Sequence, residues 1–282
     1  MSTITKTRPA VAISENDIRT YEADGVVCLR GLFGRDWIDR MYAATDRAMA
    51  SGQGRVREGS KPGETGRFYS NIFMSSWDEE FRAFTLESPA AEIAARLLRQ
   101  KRVNFFYDQL FVKEPNTPAP TYWHHDLPYW PFRGNDIVSI WVALTDVSVE
   151  TSGLEYVAGS HRWGKWYRAI TPDQDPARMD MTSEVCPNFS DPAERKPEHR
   201  ILSWDMKAGD CICHHPLTVH GSAGNSSKTQ RRLALSVRYM GADAIWDPRP
   251  LAVKLPGDPQ YPAGQRPADE TRFPTAWTAA AG

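Results

Sequence analysis

Short β-branched and aromatic runs fill the chain from residue 103 to residue 240. Proline, glycine, asparagine and aspartate separate the runs, and this pattern is typical of antiparallel strands joined by turns. The runs cover residues 103–113, 137–147, 154–158, 201–204, 210–214, 217–220 and 232–240. Because helical segments precede them, the sequence predicts an α+β, mainly β, fold with an antiparallel double-sheet barrel.

The first hundred residues show helical patterns instead. A short helix is predicted between Ser14, whose hydroxyl can cap it, and Gly25, followed by a strand over 26–33. Apolar residues at helical spacing predict a helix over 35–50, and Ser88 followed by a proline predicts another over 88–100. The polar stretch 51–66 is predicted to be a loop, so these helices are expected to flank the barrel.

A single domain is predicted for residues 1–282, because barrels of about 200 to 250 residues commonly form one domain. Residues 1–14 are expected to be a flexible N-terminus and residues 246–282 a proline-rich tail on the surface. Residues 165–200 contain five prolines and are predicted to form an insertion that acts as a lid, together with residues 51–80.

Composition excludes several classes of protein. Hydrophobic residues make up 41% and charged residues 24% of the chain, which is typical of a folded protein with a core. The net charge of −1 provides no basic field for nucleic acid or an anionic membrane. No run approaches the roughly 18 apolar residues of a membrane helix, and no signal peptide or peroxisomal address is visible. Four irregularly spaced cysteines indicate reduced thiols, so a cytoplasmic location is predicted.

The histidines indicate a metal site. In WHHDLPYW, His124 and Asp126 project to the same side of an extended chain, whereas His125 points away. A third ligand from the cluster at 214–220 would complete two histidines and one carboxylate, a set typical of non-haem Fe(II) oxygen chemistry. We choose His220, in TVHGSAGN. A lone His-x-Asp pattern is weak evidence, because both residue types are common in loops.

An arginine follows in RRLALSVRYM. Alternation places Arg231 on the same face as Leu233, Leu235, Val237 and Tyr239, and this apolar face is predicted to point inward. A buried arginine needs an anion, and a bound carboxylate suits its planar donors. The alternative is a structural salt bridge at the barrel rim. Arg232, on the other face, is predicted to be solvated.

Alternation also singles out Trp141 in IVSIWVALTDV. Its face carries the small residues Ser139, Ala143 and Thr145, whereas the opposite face is uniformly apolar. A large indole among small neighbours suits the wall of a cavity. Packing between two sheets is the alternative.

Taken in order, QLFVKEPNT, WHHDLPYWPF, IWVALTDV, SGLEYVAGSH, GDCICHHPLTVHGSAGNSS and RRLALSVRY resemble the phytanoyl-CoA dioxygenase family of Fe(II)/2-oxoglutarate-dependent oxygenases. The resemblance covers roughly residues 15–245. It implies a double-stranded β-helix, or jelly-roll, fold. It also implies iron ligation by His124, Asp126 and His220, with Arg231 holding the tail carboxylate of 2-oxoglutarate.

By position, the resemblance further places Gln109, Trp141, Ser222 and, less directly, Arg67 at the cosubstrate site. It implies that O2 and 2-oxoglutarate are consumed while a substrate C–H bond is hydroxylated and succinate and CO2 are released. Related halogenases have a small residue in place of Asp126, so oxygen insertion is expected here. Desaturation, epoxidation and cyclisation stay open, as does a non-catalytic, cupin-like binding protein. The acyl-CoA substrate is not carried over.

Aromatic residues crowd the metal motif. Trp123, Tyr129, Trp130 and Phe132 are candidate contacts for an apolar, aromatic or cationic small-molecule substrate, with plain packing as the alternative. The charged segment RWGKWYR could receive an anion or be a solvated turn. A zinc site at Cys211 and Cys213 is disfavoured because a strand would alternate the C-x-C-H-H side chains and the usual second ligand pair is missing.

Overall fold

The structure of the protein, a computed structural model, describes residues 11–170 and 182–280. The helices in these ranges are α1 (Glu15–Asp24), α2 (Arg35–Ser51), α3 (Glu79–Glu87) and α4 (Ala90–Leu97). The strands are β1 (Val26–Leu29), β2 (Arg55–Glu58), β3 (Phe68–Ile72), β4 (Arg102–Lys113), β5 (Thr121–His124), β6 (Phe132–Arg133), β7 (Ile137–Ala143), β8 (Glu155–Val157), β9 (Ile201–Leu202), β10 (Cys211–His214), β11 (His220–Ser222), β12 (Arg232–Met240), β13 (Ile245–Trp246) and β14 (Thr275–Thr278).

Two antiparallel sheets form the barrel. The larger sheet has the order β1-β10-β7-β12-β4-β3-β2, with β14 also paired to β4. The smaller sheet has the order β5-β11-β8-β9 and lies across the inner face of the larger one. Several neighbouring strands, such as β1 and β10 or β12 and β4, are distant in sequence, as in a double-stranded β-helix, so the predicted jelly-roll barrel is confirmed.

The helices cover the outer face of the larger sheet. Apolar side chains of β4, β7, β10 and β12 form one buried cluster with α1 to α4, and Leu233, Leu235 and Val237 are fully buried there. Burial of this kind stabilises a domain by roughly 25 cal/mol per Å² of apolar area. The outer face therefore contains the main apolar core, and the inner face is left for other residues.

The predicted helix ends agree with the structure for α1. Ser14 accepts a hydrogen bond from the Asp17 backbone N–H, and the Asp17 carboxylate accepts one from the Ser14 backbone N–H. Gly25 ends the helix at φ +73°, a left-handed conformation that glycine adopts readily. Helix α3 was not predicted, although Asp78 caps it through the backbone N–H groups of Glu80 and Phe81.

The described parts of the two chain ends differ from the prediction. Residues 1–10 are outside the described residues, but Val11 and Ile13 are buried, and the Arg96 guanidinium donates hydrogen bonds to their carbonyl oxygens. The described part of the predicted flexible segment is therefore packed. The proline-rich tail is partly regular, because β14 adds to the edge of β4.

The predicted lid over 165–200 is described only at its two ends, since residues 171–181 lie outside the described residues. The end nearer the metal motif is held by two contacts. The Tyr167 backbone N–H donates to His125 Nε2 at 2.8 Å, and the Ile170 N–H donates to the Tyr129 hydroxyl at 2.7 Å. Lid function stays a prediction.

Candidate metal centre and active-site cavity

Three predicted ligands converge where the smaller sheet meets the larger one. His124 and His220 are directly opposite each other on the antiparallel pair β5 and β11. Asp126 Oδ1 lies 3.4 Å from His124 Nε2 and 3.8 Å from His220 Nε2. Asp126 follows the end of β5 in a helical backbone conformation, so the turn, rather than simple strand alternation, brings the carboxylate to the histidines. His125 points away, to Tyr167.

Backbone carbonyls fix which nitrogen of each histidine faces the site. His124 Nδ1 lies 2.7 Å from the Tyr122 carbonyl oxygen, and His220 Nδ1 lies 2.9 Å from that of Thr218. A carbonyl can only accept, so Nδ1 carries the proton and the Nε2 lone pairs face each other and Asp126. Burial, aided by the neighbouring histidines, lowers the pKa of His220 well below its usual value, which favours the neutral imidazole that binds metals.

The second oxygen of Asp126 is held from behind. Ser139 Oγ donates to Oδ2 at 3.1 Å, and His214 Nε2 lies 3.3 Å from it. Burial alone would raise the pKa of Asp126, but the contacts with His124 and His214 and the nearby Arg238 charge hold that pKa well below its usual value. The carboxylate is therefore ionised, with Oδ1 directed toward the two histidine Nε2 atoms and available to a cation. The contact of His214 with Asp126 was not predicted from the sequence.

A cavity of about 550 Å³ opens in front of these three residues, between the two sheets. Its base is formed by inner-face side chains of β4, β7 and β12, among them Gln109, Trp141 and Ser236. Its mouth is bordered by residues of the 57–64 segment and by Tyr122. The metal-ligand cluster thus faces a chamber large enough for an organic molecule.

The inner face of β12 places Arg232 in this cavity. Arg232 is 2% exposed, and among the described residues no carboxylate lies within 4 Å of its guanidinium and its Nε has no hydrogen-bond partner. The group lies 5.6 Å from the centre of the Trp141 ring. Burial lowers the pKa of Arg232 to about 9, which leaves it charged at neutral pH. A charge so buried needs an anion that the described residues do not supply.

A second buried basic group lies close by. Lys113 is fully buried, and its ammonium group donates to Ser222 Oγ at 3.3 Å and to the Ala223 carbonyl oxygen at 3.0 Å. Burial and the Arg232 charge lower the pKa of Lys113 well below its usual value. Arg232 is therefore the group that makes this end of the cavity electropositive.

The inward orientation predicted for Arg231 is wrong. Arg231 lies just before β12, and its side chain extends over the outer side of the sheet, with Nε 2.8 Å from Glu114 Oε1 and Nη1 2.8 Å from Asp46 Oδ1. The alternative of a structural salt bridge at the rim describes it better. The prediction failed because the apolar face of β12 packs against the helices, which leaves the face with Arg232 toward the cavity, not toward solvent.

The other predicted cosubstrate residues divide into two groups. Gln109 and Trp141 line the cavity, and Gln109 Oε1 accepts a hydrogen bond from Arg238 at 3.2 Å. Ser222 is buried behind the cavity wall and accepts a hydrogen bond from Lys113. Arg67 is about half exposed and pairs with Glu58 outside the cavity.

The four candidate substrate contacts divide in the same way. Tyr129 and Trp130 line the cavity, and the Tyr129 ring packs edge-on against His124 at 5.7 Å. Trp123 instead packs on Phe189 and donates to Ser190 Oγ. Phe132 does not line the cavity; it is fully buried and packs edge-on against Phe106 and Trp246. For these two residues the packing interpretation fits the structure.

The rival zinc site does not form. Cys211 and Cys213 lie on the outer face in the apolar core, whereas His214 between the sheets faces Asp126. Strand alternation separates them, as expected. Among the described residues, the cluster suited to a metal ion is His124, Asp126 and His220.

This geometry agrees with comparison to known proteins. The model of the phytanoyl-CoA dioxygenase family matches residues 21–233, most of the chain, and the protein belongs to that family. The predicted class, non-haem Fe(II)/2-oxoglutarate-dependent oxygenases, is confirmed at the level of the family.

Individual relatives are distant. The chain is 29% identical over 151 residues to a probable alpha-ketoglutarate-dependent hypophosphite dioxygenase of Stutzerimonas stutzeri, and 30% identical over 121 residues to human peroxisomal phytanoyl-CoA dioxygenase. These alignments cover 52% and 43% of this chain but only 46% and 33% of the two relatives. A multifunctional dioxygenase, ausE of Emericella nidulans, is 23% identical over 266 residues, covering 88% of this chain and 82% of the relative.

Solved structures show the same fold. The epimerase SnoN of nogalamycin biosynthesis superimposes with a TM-score of 0.73 at 24% identity, over 93% of this chain and 98% of SnoN. A SnoN complex contains Fe3+, alpha ketoglutarate and nogalamycin RO. EctD of S. alaskensis has a TM-score of 0.68 at 19% identity, over 93% of this chain and 90% of EctD. In this protein, no helix within the described residues is long and apolar enough to cross a membrane.

Proposed function

We propose that this protein is an Fe(II)/2-oxoglutarate-dependent dioxygenase that hydroxylates, or otherwise oxidises, an unactivated C–H bond of a small organic molecule. The observation that carries the proposal is the placement of two histidines and one ionised carboxylate at a cavity that also contains an arginine with no anion among the described residues. When bound, iron and 2-oxoglutarate supply the oxidising power for O2-dependent attack on the substrate, with release of succinate and CO2.

The donor set fits iron. His124, Asp126 and His220 would hold the metal on one side, and this arrangement leaves the cavity side open for cosubstrate, O2 and substrate. The carbonyl contacts of both histidines and the Ser139 and His214 contacts of Asp126 hold the three donor atoms in orientation before any metal binds.

The inner cavity also fits 2-oxoglutarate. In place of Arg231, Arg232 would bind the tail carboxylate, because it is buried, charged and without an anion among the described residues. Trp141 and Gln109 would form the adjoining walls, while Lys113 holds Ser222. Arg67 stays a candidate only at the periphery of the site, because it pairs with Glu58, which borders the mouth of the cavity.

Substrate and outcome are less constrained. Tyr129 and Trp130 support an organic substrate with an apolar or aromatic part. Desaturation, epoxidation or cyclisation would use the same residues, because the outcome depends on where the substrate lies relative to the metal. The small-molecule partner and the cytoplasmic location stay predictions.

The test uses metal and cosubstrate without the unidentified substrate. Anaerobic addition of Fe(II) and 2-oxoglutarate together should produce a weak visible charge-transfer band that neither produces alone. His124→Ala should lose the band, because one Nε2 donor is removed. His125→Ala is the matched control and should keep it, since that ring points to Tyr167. No band in the unmodified protein would favour the non-catalytic, cupin-like alternative, and a band retained by His124→Ala would refute the ligand assignment.

A further inference from the structure

A second buried arginine lies beside the metal-ligand cluster. Arg238, on the inner face of β12, is 3% exposed and lines the cavity. Its Nη2 lies 3.2 Å from Gln109 Oε1 and 4.0 Å from Asp126 Oδ2. Its Nε and Nη1 atoms have no hydrogen-bond partner among the described residues. Buried donors without acceptors are costly, so these atoms are available to an acceptor that the described residues do not supply.

Arg238 and Arg232 serve different ends of the cavity. They are six residues apart on one strand face, which separates their backbones by roughly 20 Å. Arg232 lies near Lys113 and Trp141, whereas Arg238 lies near Asp126. If the Arg232 end holds 2-oxoglutarate, as in the proposed function on which this inference rests, the Arg238 end is available to the primary substrate.

Aromatic rings form the wall around Arg238. Its guanidinium carbon lies 4.3 Å from the Tyr107 ring centre and 5.6 Å from that of Trp130. Trp130 Nε1 donates to the Tyr107 hydroxyl at 2.8 Å, which holds both rings in place. A fixed cation within an aromatic wall suits a molecule that has both an anionic group and an apolar body.

The net charge of the buried groups that line the cavity also favours an anionic substrate. The buried charged groups that line the cavity are Asp126, Arg232 and Arg238, with a net charge of +1 among the described residues. A divalent metal and a dianionic cosubstrate cancel each other, so the loaded site would keep this excess positive charge. One carboxylate on the substrate would neutralise it.

We propose that Arg238 is a substrate-binding residue that receives the carboxylate of an organic acid beside the metal, with the apolar body of that acid against Tyr107 and Trp130. The substrate class is therefore an organic carboxylate, and oxidation is directed to carbon close to that group. This distinguishes Arg238 from Arg232, which takes the cosubstrate.

The test compares carboxylates with their neutral amides. The anaerobic protein, loaded with Fe(II) and saturating 2-oxoglutarate, is titrated with phenylacetate, 3-phenylpropanoate and indole-3-acetate and with the three matching amides, by calorimetry. At least one acid should bind about tenfold more tightly than its amide, the value expected of a charge-assisted hydrogen bond. Arg238→Gln should reduce that preference to below about threefold, and Arg238→Lys should keep part of it.

Controls separate the possible failures. Arg57→Gln, which removes an exposed arginine at the mouth of the same cavity, should keep the preference for the acid. Equal binding of acid and amide in every pair, or binding of none of them, would overturn the inference. Weakened 2-oxoglutarate binding in Arg238→Gln would also overturn it, by assigning the arginine to the cosubstrate. Failure of the proposed function is recognised separately, because the unmodified protein would then show no charge-transfer band.

Discussion

The two faces of β12 have opposite compositions and opposite tasks. The outer face presents Leu233, Leu235, Val237 and Tyr239 to the helices. The inner face carries Ala234, which packs between the sheets, and three residues that line the cavity, Arg232, Ser236 and Arg238. Every residue on both faces is buried. In this barrel, burial alone therefore does not distinguish core from active site; the difference lies in whether each buried polar group has a partner within the chain.

The outer face should control stability without affecting the site. Leu235→Ala removes a fully buried side chain from the helix-covered core, and we expect it to lower the free energy of unfolding by about 2–5 kcal/mol. Urea unfolding measures this. Ser236→Ala, the neighbour on the inner face, should change stability by less than about 1 kcal/mol. Comparable losses in both variants would contradict the division between the two faces.

The inner face should control cosubstrate binding. Arg232→Gln should weaken 2-oxoglutarate binding to the anaerobic Fe(II) protein by about 10- to 100-fold, the value of a lost charge-assisted contact. Arg231→Gln is the matched control. It removes a partly exposed ion pair with Glu114 and Asp46, so it should change the dissociation constant by less than about twofold. The reverse result would restore Arg231 to the role that the sequence indicated.

A smaller effect on stability is expected from a buried carboxylate on β4, and it depends on pH. Asp108, opposite Val237, accepts hydrogen bonds from the Ser75 hydroxyl at 2.8 Å and the Ser75 backbone N–H at 3.0 Å, and burial raises its pKa to about 6. Because this folded-state pKa exceeds the ordinary value of 3.8, the folded protein retains the proton longer than the unfolded chain. This contribution to stability is present below about pH 4 and is lost as the pH rises through about 6.

Asp108→Asn should remove that pH dependence. Relative to the unmodified protein, the variant should gain on the order of 1–2 kcal/mol in unfolding free energy between pH 4.5 and pH 7.5. Denaturant unfolding at the two pH values measures the gain. A difference between the two proteins that is the same at both pH values would show that the carboxyl titrates normally.

Strand and helix positions were largely readable from local pattern. Strand β12 was predicted with the bounds that it has, and the run 103–113 matches β4 within one residue. Helix α3 and strands β2, β3, β5, β6, β13 and β14 were missed, because they are short and take their stability from tertiary contacts more than from their own pattern. The predicted loop over 51–66 is corrected in this respect, since it contains β2. The three candidate metal ligands could also be chosen from the sequence, since two histidines and an aspartate in recognisable motifs are a chemical signature.

The direction in which side chains point could be predicted from the sequence only in part. Trp141 was correctly placed on a cavity wall because its neighbours Ser139 and Ala143 are small. The same criterion applied to β12 would have chosen the face with Ala234 and Ser236, and with it Arg232. The apolar face was chosen instead, as if the barrel interior were the core. In this protein the interior is the reaction chamber, and the core lies beneath the helices.

The amino-acid order alone determined the family, the strand-rich barrel and the three side chains that can hold a metal, because each depends on residue types and short spacings. Only the tertiary structure decided which arginine reaches the cavity, that His214 supports Asp126, and that Trp123 and Phe132 pack elsewhere. Those outcomes depend on which layer of the protein covers each face of a sheet. The alternation of residues along a strand does not reveal which layer that is.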